Sequence, residues 1–229
     1  MKLFFDCDGT ILDSMHIWLE PIAKLLKEYN YKLTTEEKGK IEALSFLDTV
    51  KWLKENVCKD KSEKEVLDYF SSTITDAYKN HLLAKDGAVE ILQKLKNDGY
   101  DMCICSSTDK IHLENALTRL GIIDLFDFIL TPDKFPYKKS DREYWQKALD
   151  NYKIDGKDAV LFDDALYAVK SAKKLGIKTV GIKDFPYNKN EWDKIKKQAD
   201  MVIDNIKDID MEKIRRKTNG RRIQDFLRS

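Results

Sequence analysis

The sequence predicts an α/β protein: a parallel β-sheet covered by helices on both faces, with an all-helical module inserted near its N-terminus. Two observations carry this. From about Ala88 onward, short apolar runs bounded by turn residues alternate with helical patterns. The stretch from Met15 to about Leu83 breaks that alternation and contains no convincing strand. A chain of 229 residues accommodates one large domain or a core with a smaller insert.

In chain order, Leu3–Phe5 reads as a strand that ends at Asp6. The insert then opens with a helix over Ile17–Tyr29. Thr34-Thr35-Glu36-Glu37 matches a capping box, and Phe46, Val50 and Leu53 are spaced as on a helix over Phe46–Asn56. Ser62-Glu63-Lys64-Glu65 is a second capping box, opening a helix through Val66, Tyr69, Phe70, Ile74 and Tyr78. Strands follow at Asp101–Cys105, Phe126–Leu130, Ala159–Phe162, Lys178–Ile182 and Met201–Ile203. Asp98-Gly99 and Asp155-Gly156 supply turns before two of them. Helices are expected at Ala88–Asn97, Lys110–Leu120, Asp141–Tyr152, Ala165–Leu175 and Glu191–Gln198, with Gly176 ending the fourth of these. The expected division is 1–14 with 84–212 as the core, 15–83 as the helical insert, and 213–229 as a basic tail. That tail sets Lys213, Arg215, Arg216, Lys217, Arg221, Arg222 and Arg228 against Asp225.

Composition narrows the function. Apolar residues are 42% of the chain and charged residues 35%, so a sizeable core sits under a heavily solvated surface. Lys plus Arg is 41 and Asp plus Glu is 40, a formal net charge of +1. This balance gives no global attraction to nucleic acid or an anionic membrane, and neither is expected as a partner. Cys7, Cys58, Cys103 and Cys105 form no C-x-x-C pair and no zinc framework. His16, His81 and His112 also lack ligand spacing. No uncharged run approaches the ~18 residues of a membrane helix. The apolar start of the chain is too short for a signal peptide. The expectation is a soluble, cytoplasmic protein with reduced thiols.

The chemistry lies in two acidic pairs. In Asp6-Cys7-Asp8-Gly9-Thr10, an apolar strand delivers two carboxylates at alternate positions to its carboxyl end, where ligands bind in open α/β sheets. Such a pair suits a hard, oxygen-seeking cation such as Mg²⁺. A strand followed by a plain Asx turn is the competing reading. The second pair, Asp163-Asp164, ends the apolar strand Ala159–Phe162. Two adjacent carboxylates at a buried strand end need a compensating positive charge, which a cation shared with Asp6 and Asp8 provides. Helix capping by one of the two is the alternative.

These pairs, with two further motifs in order, resemble the haloacid dehalogenase-like superfamily, above all members with a helical cap after the first strand, such as phosphoglycolate phosphatases and β-phosphoglucomutases. The resemblance spans about Met1 to Asp208. It implies a Rossmann-like core, a cap, and a Mg²⁺-dependent phosphatase acting on a small phosphorylated metabolite through an aspartyl phosphate. By that resemblance Asp6 is the nucleophile and Asp8 the general acid/base. The metal is held by the Asp6 carboxylate, the Asp8 carbonyl, Asp164, and Asp163 directly or through water. Thr10 and Asp13 brace the loop. Ser106, the first hydroxyl after the strand ending at Cys105, binds phosphate, with Ser107 and Thr108 as competitors for that role. Lys139, followed by Trp145 six residues on and Ala148 nine on, supplies the phosphate-binding ammonium. Lys138 fits that spacing less well. Ser140 stands where the family has proline, and Ala165 and Ala168 replace its serine and glycine. The alternative is a sugar-phosphate mutase of the β-phosphoglucomutase type, but Trp18 occupies the position of the mutases' cap histidine.

Overall fold

The structure, a computed structural model, describes residues 1–43, 46–134 and 136–216. They form two compact units: Met1–Asp13 with the chain from Leu83 onward, and Ser14–Leu82.

The larger unit is built on six parallel strands: β1 (Lys2–Phe5), β2 (Met102–Cys105), β3 (Phe128–Leu130), β4 (Ala159–Asp163), β5 (Lys178–Ile182) and β6 (Met201–Ile203). Their spatial order is β3-β2-β1-β4-β5-β6. The chain therefore winds outward from β1 in one direction and from β4 in the other, and the switch falls between these two central strands. Parallel strands covered on both faces read as continuous apolar runs. β2 is buried throughout, and β4 is buried from Ala159 to Asp163. Phe4, Cys103, Cys105 and Leu161 pack with Tyr144, Trp145 and Ala148 in one core cluster. Phe5 instead stacks on Phe162, ring centroids 4.8 Å apart.

The strands at Asp101 and Phe126 begin later than the sequence suggests, at Met102 and Phe128. Asp101 and Asp127 still exchange backbone bonds with Leu3 and Met102, so the difference is one of fraying at the ends. Four core helices are about as expected: α5 (Ala88–Asn97), α6 (Lys110–Arg119), α7 (Arg142–Tyr152) and α9 (Trp192–Gln198). Between α7 and α9, α8 (Leu166–Lys173) is shorter than expected, and Gly176 follows it at φ +76°. Of the basic tail, 213–216 lie in a helical turn with Ile214 buried. Residues 217–229 lie outside the described residues.

The smaller unit is helical, with no strand among its described residues: α1 (Met15–Glu28), α2 (Thr35–Ala43), α3 (Phe46–Asn56) and α4 (Glu63–Asp76). Both expected capping boxes form. Ser62 accepts from the Glu65 N–H at 3.2 Å while Glu65 accepts from the Ser62 N–H at 2.7 Å. Thr34 and Glu37 do the same at 3.2 and 2.8 Å. Leu25, Val50, Trp52, Leu53, Val66 and Phe70 form a core of the unit's own. No described helix is long and apolar enough to cross a membrane.

Candidate active site

The register of the two central strands creates the site. Phe5 of β1 pairs with Phe162 of β4, and the Asp6 N–H donates to the Phe162 carbonyl at 2.9 Å. Asp6 and Asp163 therefore emerge next to each other at the switch point, with Asp164 one residue on. One carboxylate oxygen from each of Asp6, Asp163 and Asp164 lies within 4.8 Å of the other two, and all three residues are buried.

The turn after β1 is held by its backbone. Ile11 and Leu12 N–H both donate to the Cys7 carbonyl, and the Gly9 N–H donates to Leu12. Gly9 has φ +77°, and a β-carbon there would stand 2.7 Å from Asp164 Oδ2. Only glycine fits such a position, in conformation and in space. Thr10 and Asp13 do not brace this loop through their side chains as the resemblance implies. The Thr10 hydroxyl is buried without a hydrogen-bond partner, and Asp13 is exposed, its N–H donating to Leu83.

Lys139 is the compensating charge. Its Nζ donates to Asp6 Oδ1 at 2.5 Å and lies 2.6 Å from Asp163 Oδ2, with only 2% of the residue exposed. The spacing to Trp145 and Ala148 has a physical basis. Trp145 lies on α7 and its indole N–H donates back to the Lys139 carbonyl at 2.8 Å, while Ser171 of α8 hydrogen-bonds the same carbonyl. Ala148 is fully buried one turn further along. Lys138 is exposed, and its backbone N–H caps toward Asp141.

Burial pushes the Asp6 carboxyl up to about 7, although Lys139 pulls it back. Burial raises Asp163 as well, against the same lysine. Asp164 is pushed well above the usual carboxylate range by burial and by the charges of Asp6, Asp163 and Asp184. Burial disfavours the Lys139 ammonium, but Asp163 and Asp6 outweigh it and hold the lysine well above its ordinary value. One ammonium among three buried carboxylates leaves an excess of negative charge. Hard oxygen donors in that balance fit a divalent cation such as Mg²⁺.

Ser106 follows β2 and is buried, its N–H bonded to Leu130 and its hydroxyl accepting from the Thr108 N–H at 3.1 Å. Ser107 is exposed. Thr108 is the residue that reaches Asp8, donating to Asp8 Oδ2 at 2.7 Å. Ser107, Pro132, Lys138, Lys139, Ser140 and Tyr167 line a cavity of about 460 Å³.

Sequence reasoning missed three residues at this site. Asp184 follows β5, is 4% exposed and pairs with Lys85. Asn188 donates to the Asp164 and Ile182 carbonyls at 3.0 and 2.9 Å. An acid just past an apolar strand was the available signal for Asp184, the same one that marks Asp6.

The haloacid dehalogenase-like hydrolase profile matches residues 3–182. The validoxylamine A 7'-phosphate phosphatase of Streptomyces hygroscopicus subsp. limoneus is 26% identical over 186 residues, covering 78% of this chain and 83% of its own. The pyrophosphatase PpaX of Oceanobacillus iheyensis is 23% identical over 211 residues, 90% of this chain and 94% of its own. In fold, the β-phosphoglucomutase of Clostridium difficile superposes with a TM-score of 0.67 at 21% identity, covering 97% of this chain and 98% of its own. With strand-end acids, a buried lysine and a matching family profile over most of its length, the chain belongs to the haloacid dehalogenase-like hydrolases and is a phosphoric monoester hydrolase.

Proposed function

We propose that the chain hydrolyses a small phosphorylated metabolite with Mg²⁺ as cofactor, carrying the phosphoryl group transiently on Asp6. The observation behind this reading is the convergence of Asp6, Asp163 and Asp164 around the Lys139 ammonium at the β1/β4 switch. Phosphatases of small phosphorylated compounds among the relatives support the substrate class.

In the first step an Asp6 oxygen attacks phosphorus, the bond to the leaving oxygen breaks, and Asp8 gives that oxygen its proton. In the second, water attacks the phosphorus of the aspartyl phosphate, Asp8 takes the water's proton, and the bond to Asp6 breaks to release inorganic phosphate. Splitting the displacement in two lowers each barrier. The transition state is largely metaphosphate-like, so most of the work is positioning and charge stabilisation. Lys139 fixes the Asp6 carboxylate in direction, and the Thr108 hydroxyl orients Asp8. Asp163, with one oxygen facing Lys139 and the other accepting from the Ala165 N–H at 2.8 Å, holds the lysine in place. Asp6, Asp164 and the Asp8 carbonyl would hold Mg²⁺, which supplies charge to offset the phosphoryl oxygens. Ser106 and Ser107 bind the phosphoryl oxygens, and the helical module Ser14–Leu82 serves as the lid that keeps bulk water from the intermediate.

Asp6→Asn is expected to remain folded and to release no phosphate above background from any phosphomonoester the wild type hydrolyses. Phosphate assay and circular dichroism on the same preparation check this. A folded variant with near-normal turnover removes Asp6 from the nucleophile's role.

A further inference from the structure

Asp184 presents a buried carboxylate whose two oxygens have different fates. Oδ1 is paired with Lys85, whereas Oδ2 is buried and accepts no hydrogen bond. The orphaned oxygen has a definite direction. A β-carbon built on Gly9 would lie 2.8 Å from Asp184 Oδ2 and 2.7 Å from Asp164 Oδ2, so the two oxygens converge over the turn that carries Asp6 and Asp8. Leaving a buried acceptor unmet is unfavourable, more so when it is charged. Bringing it beside a second carboxylate adds repulsion that a cation or its water would relieve.

The surroundings hold this arrangement in place. Asn188 accepts from the Asp184 N–H at 3.0 Å while its own amide bonds the Asp164 and Ile182 carbonyls, which ties the loop after β5 to the loop after β4. Lys85, whose N–H donates to the Ile11 carbonyl, anchors the other oxygen to the turn after β1. Three loops thus aim one free carboxylate oxygen at the acidic cluster.

We infer that Asp184, oriented by Lys85 and Asn188, is an outer acid of the cation site, accepting a hydrogen bond from hydration water of the bound divalent ion rather than ligating it. The inference rests on the Mg²⁺-dependent reading above. Mg²⁺ gives up its water reluctantly and usually keeps several molecules, each a strong donor. Partners beyond the direct ligands commonly set metal affinity. Asp184 is a positioning residue: its charge and its one acceptor favour a hydrated dication over an empty cluster.

The test is calorimetric titration of Mg²⁺ into the full chain and into Asp184→Asn, with thermal unfolding of each in chelator and in excess Mg²⁺. Asparagine keeps an acceptor for Lys85 and removes the charge. The expected result is Mg²⁺ binding weaker by roughly tenfold or more, a smaller Mg²⁺-induced rise in Tm, and a metal-free Tm no lower than wild type. Unchanged Mg²⁺ affinity in a folded variant overturns the inference and leaves the proposed function standing. A lower metal-free Tm with unchanged affinity also overturns it, by showing a purely structural role. If the wild type itself binds no Mg²⁺, the metal-dependent reading fails and the inference falls with it. Should Asp184→Asn not fold, Asp184→Ser makes the same comparison.

Discussion

Lys139 shows how much a single residue carries here. It is buried between Asp6 and Asp163, and burial alone would favour a neutral amine. Its two carboxylate neighbours keep it charged, and it in turn makes their burial tolerable. Breaking a buried ion cluster by removing one member typically costs about 3–5 kcal/mol, because the remaining charges are stranded. Lys139→Ala is therefore expected to destabilise the fold by an amount of that order and, as the loss of one preorganised donor, to lower kcat by roughly 10²–10³-fold. Lys138→Ala should change neither, since its described hydrogen bond uses the backbone N–H alone. Urea unfolding and steady-state kinetics on both variants check this, and damage confined to Lys138→Ala would move the role to that residue. Lys139 was legible in the sequence because its spacing to Trp145 reflects a hydrogen bond within one short segment of chain. The pairing of Asp184 with Lys85 was not, because partners 99 residues apart leave no local pattern, although Asp184 alone carries the strand-end signal.

Among the elements, those that carry their own instructions were read most closely. β4 is a continuous apolar run from Ala159 to Phe162 because both sheet faces are covered, and β5 has the bounds expected of it. The helices opened by capping boxes announce their starts with four residues each. The α4 box is exposed, so its contribution can be measured without disturbing a core. Ser62→Ala removes the hydroxyl that accepts from Glu65 and should cost about 1 kcal/mol. Trp52, buried in the same unit's core, gives a fluorescence signal for the unfolding. A loss near zero would mean that packing of Val66, Phe70 and Ile74 alone sets the start of α4. Elements were misread where the deciding interaction is tertiary. β2 and β3 start one and two residues later than expected because their first pairings, at Asp101 and Asp127, are single backbone bonds at frayed strand ends. The backbone, not Thr10, closes the turn after β1, and no side-chain pattern records that.

At the scale of the whole molecule, the chain leaves and re-enters the catalytic unit at one place. Leu12 bridges Ala84 in antiparallel fashion, the Asp13 N–H donates to Leu83, and the Lys85 N–H donates to Ile11 at 2.7 Å. The outgoing and returning segments are thus fastened together just before the helical module begins, and the module has a core of its own. For the proposed lid, rotation about the two adjacent crossings would need to alter only a few dihedrals near Ser14 and Leu82. The lid is proposed on chemical grounds, since an acyl phosphate open to bulk water would be hydrolysed without control. Beryllofluoride with Mg²⁺, which mimics a phosphoryl group on a carboxylate, offers a test because the groups proposed to engage it all belong to the larger unit. Hydrogen exchange should then slow not only at the ends of β1 and β4 but also within Ser14–Leu82, where the mimic has no ligand. Protection confined to the strand ends, with the mimic shown to occupy Asp6, would mean that the phosphoryl group alone does not move the module. Closure would then have to be driven by contacts to the leaving group, and substrate choice would rest with the helical insert.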